Sequence, residues 1–213
     1  MIIPKLHYIC QGNSSKELLE NIQKACTSGI ELLHLEVRYN SNTQKLKIAE
    51  EAREITGHFQ TRLLIANDYK LAIAIKADGV HLEHGISPTA IRKQLYSWQI
   101  LGGSAHTLQD CEALIAKEAD YIQIGPFRAT ESQGHQRTVI GLNGYTAIAE
   151  ALNTKTPLIG YGGIVPSDVG SILKTGILGI AVSDAITQNF NSIRTFNQLL
   201  NASATAEQRH TFE

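Results

Sequence analysis

The chain has 213 residues, 43% of them apolar, and a formal net charge of −1 from 19 basic and 20 acidic side chains. That length and apolar content suit a single α/β domain with a sizeable core and argue against wholesale disorder. The charges are interspersed, which argues against a nucleic-acid-binding face, although an anion pocket built from backbone N–H groups needs no net positive charge.

The first residues, MIIPKLHYICQG, carry no basic stretch and no long apolar run, so no secretory signal is expected. Leu6–Ile9 reads as the first strand. SKELLENIQKACTSG follows as a helix with Leu18, Leu19, Ile22 and Cys26 on one face, Ser14 or Ser15 as its cap and Gly29 as its stop. Glu31–Val37 is the second strand, and TQKLKIAEEAREITG is a second helix that stops at Gly57. Arg62–Ala66 and Gly79–Leu82 are the third and fourth strands, with YKLAIAIKAD as a helix between them. Gln99–Gly103 is the fifth strand, TLQDCEALIAKEA the next helix and Tyr121–Gly125 the sixth strand. After a long segment, PFRATESQGHQRTVIG, comes LNGYTAIAEALN as a helix. Pro157–Tyr161, the short helix SDVGSILKTG and Leu178–Val182 complete eight strands. Short apolar runs alternating with longer amphipathic ones argue for parallel βαβ units. Eight of them in about 200 residues match a single (β/α)8 TIM barrel, at the small end of its range. An open doubly wound sheet usually follows its first strand with GxGxxG, and CQGNSSKE is not that pattern. The domain is expected over residues 1–200, with the polar stretch 201–213 as a flexible tail.

Cys10, Cys26 and Cys111 are an odd number at wide spacing with no CxxC, so they read as buried free thiols of a reducing compartment. No window approaches ~18 consecutive apolar residues, so no membrane span is expected and the protein reads as cytoplasmic.

In such a barrel the βα loops at the C-terminal strand ends form the site. Polar residues crowd this rim: Glu36 and Arg38, Asn67 and Asp68, His81, Glu83 and His84, Ser104 and His106, Arg128, Thr130 and Ser132, then Ser183 and Asp184. Gly162 and Gly163 end the seventh strand just before VPSDVGSIL, where Pro166 suits a first helical turn. Glycine lets a ligand approach the backbone, and a helix start offers free N–H donors, so this corner reads as a phosphate site. A tight turn without a ligand is the alternative. Asn67 or Asp68 either caps the helix that follows or, in the case of Asp68, helps to hold Mg²⁺. Ser104 lacks a GxSxG setting and is not a hydrolase nucleophile.

The segments LLIANDYKLAIAIKADGVHL, ILGGSAHT, ADYIQIGPFRATES and PLIGYGGIVPSDVGSILKTGILGIAVSDAI together resemble the thiamine phosphate synthase / thiazole tautomerase superfamily over about three quarters of the chain. The resemblance implies a (β/α)8 barrel. It implies a transferase that joins aminopyrimidine-methyl pyrophosphate to thiazole phosphate, releases pyrophosphate and uses Mg²⁺. By the same resemblance Asn67 contacts the pyrophosphate and Asp68 binds magnesium. Ser104 lies near the leaving group. Thr130 and Ser132 hold the thiazole side, while Gly162, Gly163 and Ser183 form the phosphate corner. His34 stands where the synthases place a pyrimidine-contacting glutamine, and Arg38 where they place a lysine. Departures occur at Glu36 for an arginine, Gln133 for a lysine, Ile86 for a second magnesium carboxylate and Asp184 for a serine. They leave two alternatives open. One is a thiazole tautomerase-like isomerase, in which His84, His106 or His135 serves as base. The other is a non-catalytic phosphate-ligand barrel. Phosphorylated small molecules are the expected partners in each case, with no nucleic acid and no membrane; a homo-oligomer stays open.

Overall fold

The computed structural model describes residues 2–37, 41–83, 88–129 and 138–201. Eight parallel strands close into a barrel in chain order, β1 Leu6–Cys10, β2 Leu32–Leu35, β3 Arg62–Ala66, β4 Gly79–Leu82, β5 Ile100–Ala105, β6 Tyr121–Ile124, β7 Leu158–Tyr161 and β8 Gly179–Val182, with β8 paired to β1. Helices α1 Ser15–Thr27, α2 Asn42–His58, α3 Tyr69–Ala74, α4 Pro88–Arg92, α5 Leu108–Ala116, α6 Gly141–Leu152, α7 Val169–Leu173 and α8 Asp184–Thr187 follow the strands in turn, and α9 Ser192–Leu199 comes last. The barrel expectation is met strand by strand.

Local chemistry sets the helix ends. Ser14 caps α1 by accepting from Glu17 N (3.2 Å), while the Glu17 carboxylate accepts from Asn13 N (2.9 Å). Thr107 and Asp110 form a reciprocal capping box at α5 (3.1 and 3.0 Å). Gly29 and Gly176 take positive φ after α1 and α7, where a side chain would be strained. Gly57 instead lies inside α2, which runs one residue further to His58.

Side-chain alternation divides the core in two. Leu33, Leu35, Leu63, Ile65, Val80, Ile122 and Ile180 face outward against the helices and belong to the larger apolar cluster. Leu32, Leu64, Ile100, Tyr121, Ile159 and Ala181 point inward as a second, smaller cluster. Two aspartates just before β4 and β6 act alike at the floor. Asp78 accepts from Leu63 N (2.8 Å) and from Arg53 of α2 (2.6 Å). Asp120 accepts from Leu101 N (2.7 Å) and from Arg92 of α4 (2.7 Å). Each ties a strand to its neighbour and to a helix through charge-assisted bonds.

The Tyr121 ring reaches across the interior because β5 leaves room for it. A Cβ on Gly102 would lie 2.0 Å from the Tyr121 ring. Gly102→Ala is therefore expected to displace that ring and to lower stability by about 1–3 kcal/mol, read as a lower denaturation midpoint. An unchanged midpoint would mean that the ring shifts without loss.

The three thiols are free and buried, as expected, and burial pushes Cys10 and Cys111 up to about 12, far from a reactive thiolate. Among the described residues no helix is long and apolar enough to cross a membrane. The expected tail, apart from Asn201, lies outside the described residues.

Candidate active site

A cavity of about 580 Å³ opens at the C-terminal end of the barrel. Its floor is polar because four strands each put one polar residue inward where apolar side chains would ordinarily sit. These are His7 (β1), His34 (β2), His81 (β4) and Gln123 (β6), all at most 5% exposed. His7 Nε2 lies 3.0 Å from Pro4 O, and His7 Nδ1 lies 3.1 Å from His34 Nε2. Tyr121 Oη is 2.7 Å from His81 Nδ1 and 3.4 Å from His34 Nε2. His81 Nε2 is 2.9 Å from Ser104 Oγ. Burial holds His7 and His81 at about 3 and lowers His34 well below the ordinary 6.5, with His81 and His7 adding to the effect on His34. The column is neutral at physiological pH.

Ser104 is not past its strand, as the sequence suggested, but within β5, because that strand extends to Ala105. Alternation points its side chain into the cavity. Just past β3, Asn67 adopts φ +61, which asparagine tolerates better than most residues. Its Oδ1 accepts from Glu83 N (2.8 Å), and its side-chain NH₂ has no acceptor among the described residues. Asp68 caps α3 by accepting from Leu71 N (3.0 Å) through one oxygen, while its other oxygen has no partner among the described residues. The capping and ligand roles are thus compatible.

Across the mouth, Gly162 and Gly163 have φ +100 and +68 and line the cavity with Ile164 and Val165. A Cβ on Gly162 would stand 2.7 Å from Pro126 Cβ, so the turn admits only glycine there. The N–H groups of Gly163 and Ile164 find no acceptor among the described residues. The chain then enters a 3₁₀ turn, Pro166–Asp168, before α7. Asp168 accepts from Val165 N (2.9 Å) and from Arg128 (2.7 Å), so that arginine braces the corner rather than standing free.

Ser183 lines the cavity, but its hydroxyl donates to Ile9 O (2.8 Å) and so offers a ligand lone pairs only. Asp184, Glu36 and Glu83 also line the cavity. Among the described lining residues no lysine or arginine balances them. His106 is not part of the lining and has Nδ1 2.6 Å from Gly125 O, a bond in which the ring nitrogen donates. Arg38, Ile86, His84, Thr130, Ser132, Gln133 and His135 lie outside the described residues.

Ser104, His34, Gly162, Gly163 and Ser183 thus meet around one chamber, whereas Asn67 and Asp68 stand just past β3 and are not part of its lining. Gln123, which sequence reasoning passed over, lines the chamber as well, and His7 and Tyr121, also passed over, lie fully buried beneath it. A profile described as "Thiamine monophosphate synthase" matches residues 6–186. Thiamine-phosphate synthase of Flavobacterium psychrophilum is 34% identical over 199 residues, spanning 92% of this chain and 97% of that protein. The Flavobacterium johnsoniae protein of the same name is 33% identical, spanning 87% and 89%. The solved thiamine phosphate pyrophosphorylase from Pyrococcus furiosus superposes with a TM-score of 0.79 at 25% identity, covering 92% of this chain and 95% of that one. With the profile covering most of the barrel and relatives of full length on both sides, this chain belongs to the thiamine monophosphate synthase family.

Proposed function

We propose that this barrel is a thiamine-phosphate synthase, a transferase that displaces pyrophosphate from aminopyrimidine-methyl pyrophosphate with the ring nitrogen of thiazole phosphate. The observation that carries the reading is the pairing, across one cavity, of a side-chain-free backbone cradle at Gly162–Gly163 with the Ser104 hydroxyl; Asn67 follows directly on Ala66, which also lines that cavity. The cradle suits a monophosphate that must be anchored but not cleaved. The hydroxyl suits a leaving group on which negative charge grows as its bond to carbon breaks. The methylene–oxygen bond of the pyrimidine substrate breaks, its electrons leave with pyrophosphate, and the thiazole nitrogen lone pair forms the new C–N bond.

His34 lines the chamber and is the proposed contact for the aminopyrimidine. Thr130, Ser132 and Arg38, the remaining proposed substrate contacts, follow β6 and β2 in sequence and lie outside the described residues. Asp68 fits a magnesium ligand in that one of its carboxylate oxygens has no partner among the described residues. Those residues form no three-ligand cage, and Mg²⁺ needs none when one or two carboxylates act together with substrate phosphates. When bound, it supplies charge neutralisation for the departing pyrophosphate, a task made heavier by Glu36, Glu83 and Asp184 around the mouth. The tautomerase-like alternative is less well equipped, since His106 is turned to Gly125 O and lies outside the cavity lining. The reading places the protein among soluble biosynthetic enzymes of the cytoplasm.

Calorimetry with thiazole phosphate and with the pyrimidine pyrophosphate, separately and together, tests the reading. Each is expected to bind. Binding of thiazole phosphate alone would contradict the transferase and favour a phosphate-ligand barrel. Gly162→Ala should raise the KM for thiazole phosphate by about tenfold or more, because a Cβ at this φ forces the cradle open. A KM unchanged by that substitution would move the phosphate elsewhere.

A further inference from the structure

The polar column on the barrel floor runs without a break from a backbone carbonyl to the cavity, and each member restricts the next. Pro4 O can only accept, so His7 Nε2, 3.0 Å away, carries hydrogen. A neutral His7 then has a bare Nδ1. His34 Nε2, 3.1 Å from that nitrogen, must be the donor, since two lone pairs at this separation repel. The amide nitrogen of Gln123 lies 3.4 Å from both His7 Nδ1 and His34 Nε2, and as a donor it can serve only the bare His7 Nδ1. With His34 Nε2 protonated, the only bare nitrogen within reach of the Tyr121 hydroxyl is His81 Nδ1 at 2.7 Å. Tyr121 is fully buried, and leaving its proton without an acceptor would carry a desolvation penalty. His81 Nδ1 therefore accepts, and His81 Nε2 donates to Ser104 Oγ at 2.9 Å.

The opposite order fails at its root. A His81 protonated on Nδ1 would send the tyrosine proton towards His34 Nε2, and that bare nitrogen would then face the bare Nδ1 of His7. Double protonation of any ring would bury an uncompensated charge.

We propose that Pro4, His7, His34, Tyr121 and His81 form a tautomer-locking column that makes Ser104 a hydrogen-bond donor towards the cavity. His81 fills a lone pair of Ser104 and cannot take its proton. The serine O–H has no other partner among the described residues, so its hydrogen is available to an oxygen atom of the ligand. The four side chains below it are positioning residues. That the ligand oxygen belongs to pyrophosphate rests on the function proposed above; the tautomers do not.

The test is ¹⁵N NMR of the imidazoles in the intact, uniformly labelled protein, followed from neutral to mildly acidic pH. His7, His34 and His81 should each show hydrogen on Nε2 and a bare Nδ1, with no titration down to about pH 5. His81 protonated on Nδ1, or any of the three doubly protonated at neutral pH, would overturn the proposal. Turnover gives a second readout. Tyr121→Phe keeps the ring but removes the one donor to His81 Nδ1 among the described residues, so His81 should lose its single tautomer and kcat should fall about tenfold, with KM for thiazole phosphate unchanged. His81→Gln, which presents a carbonyl to Tyr121 and an N–H to Ser104, should retain more turnover than His81→Leu. Equal losses in the two variants would contradict the donor order. If the tautomers are as stated but no thiamine phosphate forms, the column stands and the substrate reading falls.

Discussion

Alanine at Ser104 is expected to lower kcat about 10²–10³-fold, the loss that follows removal of one donor aimed at developing negative charge in a water-poor site. The fall should appear in kcat and in kcat/KM alike, with KM for thiazole phosphate little changed, because the bond strengthens only as pyrophosphate departs. Folding should be preserved. Ser104 is only partly buried, and its one hydrogen-bond partner, His81, would face the cavity rather than a closed core. Ser104→Cys should not restore the rate, since a thiol is a weak donor. Single-turnover kinetics read this directly, and a Ser104→Ala enzyme within about twofold of the parent would remove the serine from the chemical step.

Acid is expected to destabilise the fold far above the pH at which its carboxylates titrate. Burial holds His7 and His81 at about 3 in the folded state, against an ordinary value of 6.5, and lowers His34 as well. Between those values the unfolded chain binds more protons than the folded one. Stability is therefore complete above pH 6.5 and is lost as pH falls towards 3. Each histidine contributes about 1.4 kcal/mol per pH unit, so His7 and His81 together cost up to about 5 kcal/mol between pH 6.5 and 4.5. A loss of that size is comparable with the whole stability of many domains. Denaturant midpoints measured across this range should fall steeply. In His34→Gln, which removes one titrating ring but keeps a polar side chain, the slope should be shallower by up to about a third. A flat profile from pH 6.5 to 4.5 would mean that the rings are already charged in the fold.

The barrel was legible because its rules are local. Apolar runs of four to six residues, glycine stops such as Gly29 and Gly176, and serine or threonine caps at Ser14 and Thr107 each leave a mark in sequence. Shorter helices leave less. α4 and α8, five and four residues long, passed unread. So did α9, although Ile193, Phe196 and Leu200 fall on one helical face and are buried.

The rim was legible in the same way, since Asn67, Ser104, Gly162 and Gly163 sit where strands end and a family pattern can be matched. The floor was missed. His7, Tyr121 and Gln123 lie inside runs that read as ordinary strands, and their meeting depends on barrel closure and register, which pair Gly102 with Tyr121 and Ile9 with His34. A signal was nonetheless present. The runs LHYIC, LLHL, GVHL and YIQI carry His7, His34, His81 and Gln123 at inward positions of largely apolar strands. Four such residues in one barrel need one another as hydrogen-bond partners. Arg38, Ile86 and Gln133, which hold departures from the synthase pattern that bear on pyrophosphate handling, lie outside the described residues. Glu36 and Asp184 are the departures that the cavity itself displays.

Product formation tests the account most directly. The intact chain, supplied with aminopyrimidine-methyl pyrophosphate, thiazole phosphate and Mg²⁺, should form thiamine phosphate and pyrophosphate in equal amounts, and neither substrate alone should yield either product. Failure to form thiamine phosphate while both substrates bind would contradict the assignment and leave the barrel a receptor for phosphorylated ligands.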